Sequence, residues 1–266
     1  SISKRYTLII IALLVGMIYI LPHWWLKETA GDEVYYPFSF AELLYGAQVK
    51  EILDGHVSVG DPQFWEHKNT FPSAFPLLPV MILSGISWLS GNSIVSGFYV
   101  SDFLFPAILF LAAYGFSYAF TKNYFGSVFM SLAMLFLSQL VTKFPPYSLG
   151  SLSTFVKGLF LVEVPRLSPF YRTPNPQISL IFLLLGLWNV FALWKRPQMR
   201  TVVSSILFGV ALFSVYFYHI TYYMAVVLGL LIISVMQKKR RVFIHFLGVT
   251  VSLFLTAFIF LLILQS

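Results

Sequence analysis

The chain has 266 residues, 58% hydrophobic and 10% charged, with a formal net charge of +7 and no cysteine. Its mean hydropathy of +0.82 lies outside the range of soluble domains, and its apolar runs are long enough to cross a bilayer repeatedly. The cations sit in short clusters at the ends of apolar runs, which excludes a nucleic-acid-binding face, and the missing thiols exclude disulfides and thiolate metal sites.

Those clusters are Lys4-Arg5, Lys195-Arg196 with Arg200, and Lys238-Lys239-Arg240-Arg241. Basic loops are retained in the cytoplasm, so the charge reports orientation. A transmembrane barrel would need alternating segments of about ten residues, whereas residues 178–194 are almost continuously apolar. The expected fold is an all-α polytopic membrane protein with about 8–10 transmembrane helices. It reads as one domain over residues 1–266, with a large first extracytoplasmic loop over 23–74 that carries an interfacial helix. The chain begins without Met and stops at the end of an apolar run, Gln265-Ser266, which reads as trimmed.

In chain order, Lys4-Arg5 followed by the apolar run 6–21 predicts a first span leaving the cytoplasm. His23-Trp24-Trp25 reads as an aromatic anchor at the far interface. No small-residue cleavage site follows the run, so an uncleaved helix is preferred to a signal peptide. Ser39-Phe40-Ala41-Glu42 has capping-box spacing and opens a helix over 40–54 that stops at Gly55. Its apolar residues spread over more than one face, as in a helix wedged between lipid and protein. Residues 56–75 read as irregular loop. Further spans are expected over 75–89, 95–120, 124–141, 178–194, 202–217, 224–236 and 242–264. Turns are expected at Ser90-Gly91-Asn92 and Thr121-Lys122-Asn123, and an outer hairpin at Tyr218-His219-Ile220-Thr221-Tyr222-Tyr223. Placing the loop that holds Arg166 and Arg172 outside requires residues 152–162 to cross, despite their short length and Lys157. If that piece is re-entrant, a break upstream is misplaced. The total is nine spans, give or take one.

Eight of the ten acidic residues fall in the first loop: Glu28, Asp32, Glu33, Glu42, Glu51, Asp54, Asp61 and Glu66. Any chemistry belongs there. Asp102 lies inside an apolar run, where an ionisable group is costly and faces an interior. A helix–helix hydrogen bond towards the cytoplasmic end is expected for it rather than catalysis.

Four features form one pattern: Asp32-Glu33-Val34-Tyr35-Tyr36 directly after the first span, the interfacial helix with Glu42, Gly55, and His67-Lys68-Asn69-Thr70-Phe71-Pro72 entering Phe75-Pro76-Leu77-Leu78. The pattern covers about the first third of the chain. It resembles the GT-C superfamily of polyprenyl-phosphate-sugar-dependent glycosyltransferases, which includes protein O-mannosyltransferases, the lipid A aminoarabinose transferase and oligosaccharyltransferase.

The resemblance implies an inverting transferase that takes its donor at the membrane surface, where a carboxylate must accept the proton of the incoming nucleophile. Asp32 maps onto that base and Glu33 onto its acceptor-orienting neighbour. The plainer reading of the pair is a solvated turn, and that of Glu42 is a cap. A leaving phosphate needs cations on the outer side, and Arg166 and Arg172 in a Pro-stiffened loop are placed for that. Snorkelling to lipid headgroups is the competing account. Lys68 resembles a lysine of the aminoarabinose-transferase branch, but the residues between Lys68 and Pro72 depart from that pattern. Tyr35, Tyr36, Tyr218 and His219 are expected to line the substrate site. Asp61, Glu66 and His67 are candidates for a divalent cation, Mg or Mn, against a solvated loop.

The implied partners are a polyprenyl-phosphate sugar, membrane lipids and an acceptor the residues do not specify. The implied location is a bacterial or archaeal cell membrane with a cytoplasmic N-terminus. Two other readings remain: a polytopic transporter or flippase of lipid-linked glycans, and a non-catalytic GT-C-like accessory subunit. Walker, dinucleotide and His-Glu-x-x-His motifs are absent from the sequence, which removes the usual soluble-enzyme classes.

Overall fold

The computed structural model describes residues 2–30, 40–56, 77–143 and 174–265. Among the described residues the chain is all-helical, with nine helices and no strand. They are α1 (Ile2–Ala30), α2 (Phe40–Leu53), α3 (Leu77–Leu89), α4 (Ile94–Thr121), α5 (Tyr124–Lys143), α6 (Gln177–Lys195), α7 (Met199–Val215), α8 (Phe217–Met236) and α9 (Arg240–Gln265). Five segments are long and apolar enough to span a bilayer: Lys4–Trp24, Ile94–Thr121, Gln177–Lys195, Tyr218–Met236 and Arg240–Ile259. Shorter apolar helices occupy Leu77–Leu89, Tyr124–Phe136 and Met199–Val215. The protein is an all-α polytopic membrane protein.

The chain divides into two compact units, Ser1–Ser73 with Pro79–Ile178 and Ala74–Leu78 with Ser179–Ser266. In the first unit α1 packs antiparallel to α4. At one end the Tyr124 hydroxyl, just past α4, donates to the Lys4 carbonyl at 3.3 Å. At the other, His23 lies beside Asp102. α5 runs parallel to α1, and the buried Tyr19 hydroxyl donates to the Leu135 carbonyl at 3.3 Å. Lipid supplies no hydrophobic drive between helices, so close approach of small residues carries the packing. Ala12, Ala112 and Ala113 are buried, and Gly16 lets the backbones meet: a Cβ there would stand 2.5 Å from the Phe103 carbonyl oxygen.

Gly16→Ala must push α1 off α4, because the obstacle is backbone, and should cost about 1–3 kcal/mol, the usual range for overpacking. Gly229 has nothing within 4 Å of the equivalent position, and Gly229→Ala should leave the melting temperature in detergent unchanged or slightly raised. Equal melting of the two variants would contradict the close approach.

The antiparallel α1 and α4 correct the expected topology. Had residues 75–89 returned across the membrane, α4 would run parallel to α1. The described part of α3, 13 residues, rises about 20 Å, against the roughly 30 Å hydrocarbon core. α3 turns into α4 at Ser90-Gly91-Asn92, with Gly91 and Asn92 at φ 82° and 60°. Ser93 caps α4 by accepting from the Ser96 amide at 3.2 Å. Ser87 sits against Gly97, where a Cβ would come within 2.8 Å of the Ser87 Cα. The break between α4 and α5 falls where expected: Lys122 adopts φ 52° and Asn123 accepts from the Gly126 amide at 3.1 Å.

α2 also follows the expected outline. It starts at Phe40, and the left-handed Gly55 (φ 93°) ends it, with His56 N–H bonding the Glu51 carbonyl and Gly55 N–H that of Ile52. This is the paired closure that favours glycine after a helix. Its buried face holds Glu42, Tyr45, Gln48 and Val49, while Leu43 is exposed. Glu42, read from its spacing as a cap, is 1% exposed.

The second unit is built from α6 to α9 around Val190, Leu193, Leu212, Tyr223, Val227, Phe246, Val249 and Leu253. The Tyr223 hydroxyl donates to the Ser205 carbonyl at 2.7 Å. Asn189 Nδ2 donates to the Thr201 carbonyl at 2.9 Å and to Ser205 Oγ at 2.7 Å. Lys239 Nζ stands 4.7 Å over the Trp194 ring, so the two basic clusters share one end of this unit, as the charge pattern requires. The expected hairpin at the opposite end is corrected: a single extended residue, Tyr216 (φ −168°, ψ 115°), separates α7 from α8, and Tyr218 to Tyr223 are helical.

Candidate functional site

The described residues gather polar groups at the His23 end of the first unit. α1 stays helical through Pro22 to Ala30, so the Asp32-Glu33 pair begins just past its last residue. His23, expected as an interfacial anchor beside Trp24, is instead 1% exposed, whereas Trp24 is 50% exposed. Neighbours on a helix point about 100° apart, so one faces protein and the other outward. His23 Nε2 lies 3.4 Å from Asp102 Oδ2, and both side chains are buried. The Tyr99 hydroxyl points at the His23 carbonyl at 3.5 Å, and the two rings stand edge-to-face at 6.4 Å.

Asp102 thus makes the helix–helix contact expected of it, but at the His23 end and not the Lys4 end. The sequence signal for its partner was present. An acid inside an apolar helix needs a polar neighbour, and a histidine at the close of another apolar run is a chemically matched one.

Next to this pair, α2 packs on α4, with Gly46 facing Phe98 at 3.7 Å from where its Cβ would stand. From α2 the Tyr45 hydroxyl accepts from Asn175 Nδ2 at 3.0 Å, just before α6. Glu42, Gln48, Asn175 and Gln177 are each 1% exposed. One end of the unit therefore carries a buried carboxylate–imidazole pair and a set of buried carboxyl and amide side chains, drawn from α1, α2, α4 and the residues entering α6. Such groups are costly in a membrane and mark functional surfaces. The arrangement can orient polar substrate groups.

Most of the residues proposed from the sequence lie outside the described residues: Asp32, Glu33, Tyr35, Tyr36, Asp61, Glu66, His67, Lys68, Arg166 and Arg172. Of the rest, Tyr218 is exposed and His219 buried. Their rings flank Tyr216 at 5.5 and 5.1 Å, so a common aromatic cluster joins them at the start of α8. Among the described residues no group of three His, Asp or Glu side chains could hold a metal ion. No family model, curated protein or solved structure matches this chain.

Proposed function

We propose that the protein is an inverting glycosyltransferase of the GT-C type. It moves a sugar from a polyprenyl-phosphate donor to an acceptor on the extracytoplasmic side of the membrane. The observation that supports the reading is the buried polar end of the first unit, with His23, Asp102, Glu42 and Asn175 buried towards the end at which α1 runs on to Ala30. In this reading Asp32 takes the proton of the acceptor nucleophile and Glu33 orients it. Arg166 and Arg172, with Lys68, neutralise the phosphate that leaves the anomeric carbon. Tyr35 and Tyr36, with Tyr218 and His219, are the proposed sugar-lining residues. The proposed location is a bacterial or archaeal cell membrane with the Lys4 end cytoplasmic; no cofactor is assigned, and Asp61, Glu66 and His67 are the candidate ligands only if the reaction uses Mg or Mn.

The transporter reading gains one observation, a buried ionisable pair on two Pro-containing apolar helices. Transport sites lie near mid-membrane on broken helices. The His23–Asp102 pair instead sits at the end of the Lys4–Trp24 span, which favours the transferase.

The test is donor consumption. Proteoliposomes of the full chain, given radiolabelled polyprenyl-phosphate mannose and a membrane extract as acceptor source, should release polyprenyl phosphate. Translocation of intact donor without cleavage would favour the transporter and overturn this reading.

A further inference from the structure

At the Lys4 end of the first unit, opposite the polar end just described, an open cavity of about 470 Å³ is lined by Lys4, Arg5 and Leu8 of α1, Tyr114 and Tyr118 of α4, Lys122, and Tyr124 of α5. Its volume falls within the usual range for small-ligand sites. Three tyrosines converge on it: the Tyr114 and Tyr118 rings stack at 5.7 Å, and Tyr124 meets Tyr114 at 6.0 Å. Lys4 Nζ stands 5.5 Å from the Tyr124 centroid and Lys122 Nζ 5.4 Å from that of Tyr118. The left-handed turn at Lys122 brings that lysine back over its own helix end.

The charge is one-sided. Lys4, Arg5 and Lys122 have no carboxylate within ion-pair distance among the described residues. The only acid of the α1–α4 pair facing this unit's core, Asp102, is at the opposite end. Tyrosine rings alone would suit a quaternary ammonium, but three uncompensated cations select an anion. Phenol and ammonium donors match phosphate oxygens, and Leu8 continues the cavity onto the apolar flank of α1, where acyl chains run. A general aromatic and basic girdle explains scattered Tyr and Lys at an interface. It does not explain three helices converging on one cavity.

We propose that this cavity binds the headgroup phosphate of an anionic phospholipid, a site separate from the proposed donor site and independent of the transferase reading. The shared chemistry is a phosphate anion, so the test separates lipid from free phosphate. The full chain in detergent is titrated with dioctanoyl phosphatidylglycerol, dioctanoyl phosphatidylcholine and inorganic phosphate, and the bound fraction is read by native mass spectrometry.

The expected order is phosphatidylglycerol well above phosphatidylcholine, with inorganic phosphate a poor competitor. Lys4→Gln with Lys122→Gln should weaken phosphatidylglycerol about tenfold or more, given the attraction of each surface cation for anionic lipid. Lys238→Gln with Arg241→Gln, in the other unit, should leave it unchanged. Should the first pair fail to fold, Tyr118→Phe provides a milder variant, expected to weaken binding about threefold for one lost hydrogen bond. Equal binding of the two lipids, equal loss in both double variants, or an unaffected Tyr118→Phe would overturn the site. Competition by inorganic phosphate at the lipid's own concentration would overturn the lipid assignment.

Discussion

Asp32→Asn is expected to lower sugar transfer about 10²- to 10⁴-fold, the usual contribution of a positioned general base, while donor binding is retained. The amide keeps the size and most hydrogen bonds of the carboxylate but has no basic lone pair to take the acceptor proton. Asp32→Glu should recover part of the rate, since it restores the base about one bond displaced. Glu33→Gln should act more on the acceptor KM than on kcat, as befits an orienting group. The rates are to be measured in proteoliposomes against the same labelled donor. Full activity in Asp32→Asn would remove this residue from the mechanism.

His23→Leu should destabilise the first unit by about 3–5 kcal/mol, because it strands a buried carboxylate. Asp102 is 1% exposed and 3.4 Å from the imidazole. Losing that neighbour forces the acid either to protonate or to draw water into the helix interface. Asp102→Leu should cost less, since an imidazole left alone can remain neutral. The double variant His23→Leu/Asp102→Leu should approach wild-type stability, because replacing a buried pair with apolar residues is often neutral or better. The thermal stabilities of the four proteins close a double-mutant cycle. Additive losses would show that the pair does not act as a unit.

The sequence carried the fold class and most helix boundaries, because long apolar runs and their basic ends are local signals. Gly55, Gly91 and Lys122 mark breaks that chain geometry alone dictates. Topology was less legible. Hydropathy reports that residues 77–89 are apolar but not that α4 runs antiparallel to α1, which only the pairing of Lys4 with Tyr124 and of His23 with Asp102 reveals.

At the site, His23 was hidden by its neighbours. Beside Trp24-Trp25 it looks like part of an aromatic belt, and only the continued helix through Pro22 turns it inward. Glu42 fits a cap from its spacing, a local signal that carries no information on its burial. The polar letters of Tyr218 to Tyr223 suggested a hairpin, but a single extended Tyr216 suffices to join α7 to α8.

In the proposed reaction the donor is a lipid-linked sugar and the residues do not name the acceptor, so donor binding is the decisive measurement. Native mass spectrometry of the full chain with polyprenyl-phosphate mannose should show a one-to-one complex for wild type and for Asp32→Asn, and a largely lost one for Arg172→Ala. Absence of the complex in all three proteins would contradict the account and shift the weight to the accessory-subunit or transporter reading.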